Sequence, residues 1–284
     1  MVASLASPID ASKIRRAFPL QAFISVCHCR VESKRDTIGF GMNDEPETKS
    51  LKLLCDMCNE LSRAVNSLGG KGGRGLFDNF NFHSAKFINQ AAEGFIFLRQ
   101  ATPPRIAASK LLIRPVLEIK FRLEAIQKQP ELLFRIAYRE SEEDRKWTAS
   151  IAAIAGKEGN YHRATHEQHW KDFKAKYAEQ FPNHELVERT ITTEQLAAAA
   201  DLAYYYDTHY RMYCRYTHAA LQAIGGSLDR LSNSEDNRTM AVCILTALRA
   251  LAPIGADMPN RDSLAERLNK LEHLLISRNG EHPQ

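Results

Sequence analysis

Residues 202–222 read LAYYYDTHYRMYCRYTHAALQ, which brings an acid, guanidinium groups, a thiol and imidazoles into one stretch of helical character. At about 100° per residue, with His218 as zero, Asp207 falls near −20°, Arg211 near +20° and Cys214 near −40°. They share one polar stripe. Tyr204 and Arg215 lie at its margin, while Tyr205, Met212 and Tyr216 take the side expected of core. A stripe of this kind on an aromatic helix is either a buried hydrogen-bonded network or a pocket. In a pocket, His218 is the group able to exchange a proton near neutral pH, and Arg211 can hold a phosphate through paired N–H donors as charge builds. Asp207, Arg211 and His218 are the candidate catalytic residues, with Arg215 beside them as a candidate for binding.

Arg114 and Glu118 form a second pair, four residues apart in a segment that Pro115 interrupts. With Arg114 at zero, Glu118 falls near 40°, between Leu111 and Phe121, so the pair is not expected on a fully solvated face. It either joins two helices as a salt bridge or grips something brought between its members. Arg114 and Glu118 are therefore candidates for substrate binding.

The texts Arg114-Pro-Val-Leu-Glu118 and Tyr210-Arg-Met-Tyr-Cys-Arg-Tyr-Thr-His218, with Trp147 and Ala152-Ala153 between them, resemble the bacterial helical family known as domain of unknown function 5677. The resemblance spans about residues 85–225 and implies an all-helical cytoplasmic protein without implying an activity. Arg211 followed by six residues and His218 is also similar to the HEPN superfamily. Those helical bundles include metal-independent ribonucleases of toxin and phage-defence systems, whose active site is Arg, four to six residues, then His. That likeness implies RNA as partner, a site at a homodimer seam, and no cofactor or metal. Met212 stands where a polar residue is usual in that pattern. The competing expectation is a non-enzymatic interaction module whose polar residues fix helix packing.

Three other groups carry ligand-like chemistry. His162, His166, His169, Phe173 and Tyr177 share a helical face, and His at i, i+4 suits a metal. No Glu completes a zincin pattern, so packing against a neighbour is the expectation. Cys27-His-Cys29 with Cys55-x-x-Cys58 has zinc-ligand types, but the second pair repeats on a helix and reads as core thiols. The loop Ser67-Leu-Gly-Gly-Lys-Gly-Gly-Arg-Gly75 offers backbone N–H groups and two cations to a phosphate. Lys71 is followed by Gly72 rather than Ser or Thr, so it is no Walker loop and reads as a connector.

The elements that must position these groups are helical. The chain has seven Val and few alternating runs, and Ala, Leu, Glu, Lys, Arg and Gln fill its periodic stretches. An all-α fold follows: a single multi-helix bundle over residues 49–280, with a loosely ordered N-terminal arm over residues 1–48. The expected helices are 50–68, 85–101, 105–129 with a kink at Pro115, 131–141, 142–155 and 159–181. Thr192 opens the longest, with Gln195 completing a capping box, and Gly225-Gly226 ends it. Residues 235–251 and 263–277 close the set.

Over 284 residues, 38 Lys+Arg against 34 Asp+Glu leave a formal charge of +4, with 44% hydrophobic types. This excludes a disordered chain, a collagen and a strongly basic nucleic-acid coat. Even the richest apolar region, residues 106–126, carries Lys110, Arg114, Glu118, Lys120, Arg122 and Glu124, so no membrane span is expected. Sparse Cys and no cleavable leader make the cytoplasm the expected location.

Overall fold

A computed structural model describes residues 46–69, 75–102, 104–155, 157–217, 233–256 and residue 266. The described residues all lie in one compact unit, residues 44–284. Their backbone is helical, and no strand occurs among them. In chain order the helices are α1 (Pro46–Ser67), α2 (Leu76–Gln100), α3 (Ile106–Lys110), α4 (Ile113–Lys128), α5 (Leu132–Ala155), α6 (Lys157–Gln180), α7 (Thr193–Ala199) and the single turn α8 (Ala203–Tyr205). A π-turn over Tyr206–Tyr210 leads directly into α9 (Arg211–Thr217). Helix α10 (Asn233–Leu251) runs into a 3₁₀ turn, Ala252–Ile254.

Helix α10 is the centre of the bundle, packed against α1, α2 and α4. Its sequence is apolar or small on nearly every side: Met240, Ala241, Cys243, Ile244, Ala247, Leu248 and Leu251 are all buried. A helix buried all round needs partners on several sides. Leu54, Met57 and Leu61 from α1, Ile88, Ala92 and Phe95 from α2, and Val116, Leu117 and Phe121 from α4 supply them. The polar residues of α10 are absorbed by bonding. Thr246 donates to Glu124 Oε1 at 2.9 Å and accepts from Lys120 Nζ at 3.2 Å, and Asn237 donates to Ser50 at 2.9 Å.

Helices α5 and α6 form an antiparallel pair zipped by aromatic rings. Phe134 lies 5.5 Å from Trp170 and 5.1 Å from Tyr177, and Trp170 stacks on Phe173 at 5.4 Å. His166 Nε2 is 3.2 Å from Ser141 Oγ, while His162 and His169 face solvent. The packing expected of this face is thus made by Trp170, Phe173 and Tyr177 with His166, and not by His162 or His169. No metal-holding group of side chains occurs among the described residues. After α6 the chain runs without regular structure to Thr192. Its carbonyls are taken by α5: Arg135 donates to Arg189 O and Thr190 O, and Arg139 to Ile191 O.

Several boundaries differ from those expected of the sequence, each for a local reason. The stretch 105–129 is two helices, α3 and α4, with a turn at Leu111–Leu112. Pro115 falls in the first turn of α4, where a backbone N–H has no helical partner to lose, so no kink is needed. The expected break at residue 141 is absent, and α5 continues through it. The expected long helix from Thr192 is instead broken. The capping box forms, with Gln195 N–H on Thr192 Oγ1 at 3.1 Å and the return bond at 3.0 Å. Seven residues later the helix ends, because Asp201 takes a left-handed φ of 58°. Leu202 N–H then bonds back to Ala197 O at 2.7 Å, and Asp201 N–H to Ala198 O at 3.0 Å. Lys128 holds the break from α4, donating to Ala200 O at 2.8 Å and Asp201 Oδ2 at 2.6 Å. The glycine loop at 70–74, Gly225-Gly226, the Cys27–Cys29 region and the expected helix 263–277, Glu266 excepted, lie outside the described residues.

Candidate functional site

The break at Asp201 re-aims the chain so that residues 203–217 cross α4. Within this segment Arg211 N–H bonds to Tyr206 O, five residues back. The widened turn adds a residue to the helical repeat, a feature that recurs at functional sites because it redirects side chains. Its exposed face carries Tyr204, Asp207, Thr208, Arg211 and Arg215. Its buried face carries Tyr210, Tyr213 and Tyr216.

Asp207 and Arg211 are paired as the spacing predicts, Nε to Oδ1 at 3.2 Å, with both side chains 59% exposed. They form a surface pair, not a sealed network. Cys214 departs from their stripe. It is half-buried against the core and close enough to Arg114 to favour the guanidinium charge. Met212 and Tyr205 are half-buried and Tyr216 is buried, so the expected core side is right in outline. His218 lies outside the described residues.

Arg114 and Glu118 meet on the neighbouring helix α4, Nε to Oε1 at 3.3 Å, each about a quarter exposed. Their third partner was not legible in the spacing. Tyr210 donates its hydroxyl to the same Glu118 oxygen at 2.6 Å, and the Arg114 guanidinium lies 5.7 Å above the Tyr210 ring. Burial first, and then the bond to Glu118, push the Tyr210 phenol well above its ordinary range, so it stays a donor. Burial works against the Arg114 charge. The Tyr210 hydroxyl, Cys214 and Glu118 outweigh it and raise the Arg114 pKa.

The two candidate pairs are one constellation. Arg211 lies 5.4 Å over the Tyr206 ring, Tyr206 stacks on Tyr210 at 5.0 Å and 19°, and Arg114 covers Tyr210. Phe121 of α4 supports both tyrosines from 6.3 and 5.9 Å. Two guanidinium groups are thus held along a stacked tyrosine pair, with Asp207 beside one and Glu118 beside the other.

A second polar cluster, absent from the sequence reading, lies inside the bundle. Asp236 of α10 has no exposed surface, and its carboxylate takes Arg99 from α2, Lys110 of α3 at 3.1 Å and the Tyr213 hydroxyl at 2.7 Å. Arg99 Nε also donates to Ser109 Oγ at 2.7 Å. Burial and then the Asp236 charge hold the Tyr213 phenol far above its usual range. This cluster ties α9 to α2, α3 and α10 and so anchors the segment whose outer face carries Arg211. No pattern in the chain joins Arg99 to Asp236, because 137 residues separate them. Among the remaining Cys, Cys58 and Cys243 are buried thiols whose pKa burial pushes up to about 12.

Residues 80–237, more than half of the chain, match a family model described as a family of unknown function, DUF5677. No curated protein and no solved structure matches the chain. The matched span contains both arginine–tyrosine pairs and Asp236. No helix among the described residues is long and apolar enough to cross a membrane.

Proposed function

We propose, given that the chain belongs to DUF5677, a family of unknown function, that it acts on RNA and cleaves it at the face carrying Asp207, Arg211 and His218. The observation that carries this reading is the continuous ladder Arg211, Tyr206, Tyr210, Arg114. Guanidinium groups fixed over aromatic rings are poised to meet phosphates at little further ordering cost. Arg211 engages Asp207 through Nε, which leaves its terminal nitrogens for a phosphate. His218 stands seven residues on, two helical turns by spacing.

The chemistry follows the HEPN-like pattern. His218 takes the proton of a ribose 2′-hydroxyl, and that oxygen attacks the adjacent phosphorus. The bond from phosphorus to the 5′-oxygen breaks, and the leaving oxygen takes a proton back from the imidazolium. The products are a 2′,3′-cyclic phosphate and a 5′-hydroxyl. Arg211 carries the charge that builds on the phosphoryl oxygens, Asp207 orients Arg211, and Arg114, Glu118 and Arg215 hold the neighbouring chain.

The closed triangle of Arg114, Glu118 and Tyr210 favours a second reading, an interaction module in which these residues only fix packing. Purified Arg211→Ala and His218→Ala variants separate the two. Each is expected to keep its helical circular dichroism and to lose RNA cleavage about 100-fold or more. Cleavage at the original rate in both folded variants rejects the nuclease reading.

A further inference from the structure

The exposed face of residues 203–217 begins with an aromatic ring that the packing does not use. Tyr204 is 77% exposed, whereas Tyr206, Tyr210, Tyr213 and Tyr216 of the same segment are half-buried or buried. Its backbone carbonyl accepts the Thr208 hydroxyl at 2.7 Å, so the turn that presents it is fixed. The neighbouring exposed positions are Asp207, Thr208, Arg211 and Arg215.

An open ring beside guanidinium groups suits a strand whose bases are unpaired. Stacking needs a free π-face on the base, which a paired duplex presents only at its ends, while the phosphates of either form satisfy arginines. We infer that Tyr204 is a stacking platform for an unpaired base, with Arg211 and Arg215 on the flanking phosphates, so that the substrate is single-stranded RNA. The inference rests on the RNA reading above. Tyr204 sets which strand is held. It takes no part in the proton transfers.

The test uses the whole chain and a fluorescein-labelled 12-nucleotide RNA with 2′-O-methyl riboses, which binds without being cut. Fluorescence anisotropy is expected to show Tyr204→Ala raising Kd about 10-fold, with Tyr204→Phe within about twofold of the original. A hairpin-free duplex of the same length is expected to bind more weakly and to be indifferent to Tyr204→Ala. With cleavable RNA at saturation, the Tyr204→Ala rate is expected to match the original, the loss appearing in KM.

Unchanged single-strand affinity in Tyr204→Ala, or tighter binding of the duplex, overturns the platform and leaves the nuclease reading standing. A Tyr204-dependent affinity without any cleavage of ordinary RNA overturns the nuclease reading and leaves the platform standing. No binding of either RNA by the original chain overturns both.

Discussion

His209 lies one residue inside the end of the π-turn, on the side away from Arg211's partner. Its ring stacks on Tyr205 at 4.2 Å and 8°, its Nδ1 is 2.8 Å from Thr208 Oγ1, and its Nε2 is 3.9 Å from Glu235 of α10. Burial lowers its pKa below 6.5; Glu235 opposes that shift and Arg238 adds to it. The unfolded chain therefore binds this proton more readily than the folded one. Above pH 6.5 the ring is neutral in both states and the effect is absent; as pH falls through 6.5 stability is lost, and the loss levels off below the folded pKa. Thermal melting at pH 7.5 and pH 5.0, compared with His209→Phe, which keeps the stack, is expected to show a smaller acid loss in the variant. Identical pH profiles would remove His209 from the account. Asp207 and Arg211, being exposed, are expected to matter little to stability, since surface pairs contribute about 0–1 kcal/mol.

At the scale of the elements, the start marked by a side-chain cap is legible, whereas α2 begins at Leu76 rather than at the expected residue 85 and the interruptions after Ala199 carry no signal. Thr192 with Gln195 marks a start through side chains three residues apart, and the box forms as read. The end at Asp201 carries no glycine, and a left-handed Asp held by Lys128 from another helix leaves no local signature. The π-turn is equally silent, because 100° arithmetic assumes the repeat it violates. Asp207 and Arg211 pair across the turn all the same. Cys214 lies beyond it in regular α9 and is half-buried because α4, with Arg114, packs on that side, a contact that helical arithmetic does not contain. Pro115 gives the reverse lesson: its residue type signals a break, but its place in the first turn of α4 makes it harmless. Pro115→Ala is accordingly expected to change unfolding free energy by less than about 0.5 kcal/mol in urea melts. A loss or gain well beyond that range would mean that the ring has a packing role beyond helix entry.

For the molecule as a whole, the buried Asp236 cluster is the lock that holds the candidate face in place. Removing one member of a buried charge cluster leaves its partners uncompensated, so Asp236→Ala is expected to cost about 3–5 kcal/mol. Denaturant melts measure it, and a cost below about 1 kcal/mol would show that Arg99 and Lys110 find other partners. Composition and helical periodicity alone established the all-α class and most helix cores, because those properties depend on neighbours within a few residues. The polar residues of the candidate face were readable by type and spacing for the same reason. What only tertiary structure decided was their grouping. Arg114 meets Tyr210 across 96 positions of sequence, and Arg99 meets Asp236 across 137, through packing that no local pattern encodes. A helix repeat fixes which side chains share a face; the partner that face meets is fixed by the burial of the rest of the chain.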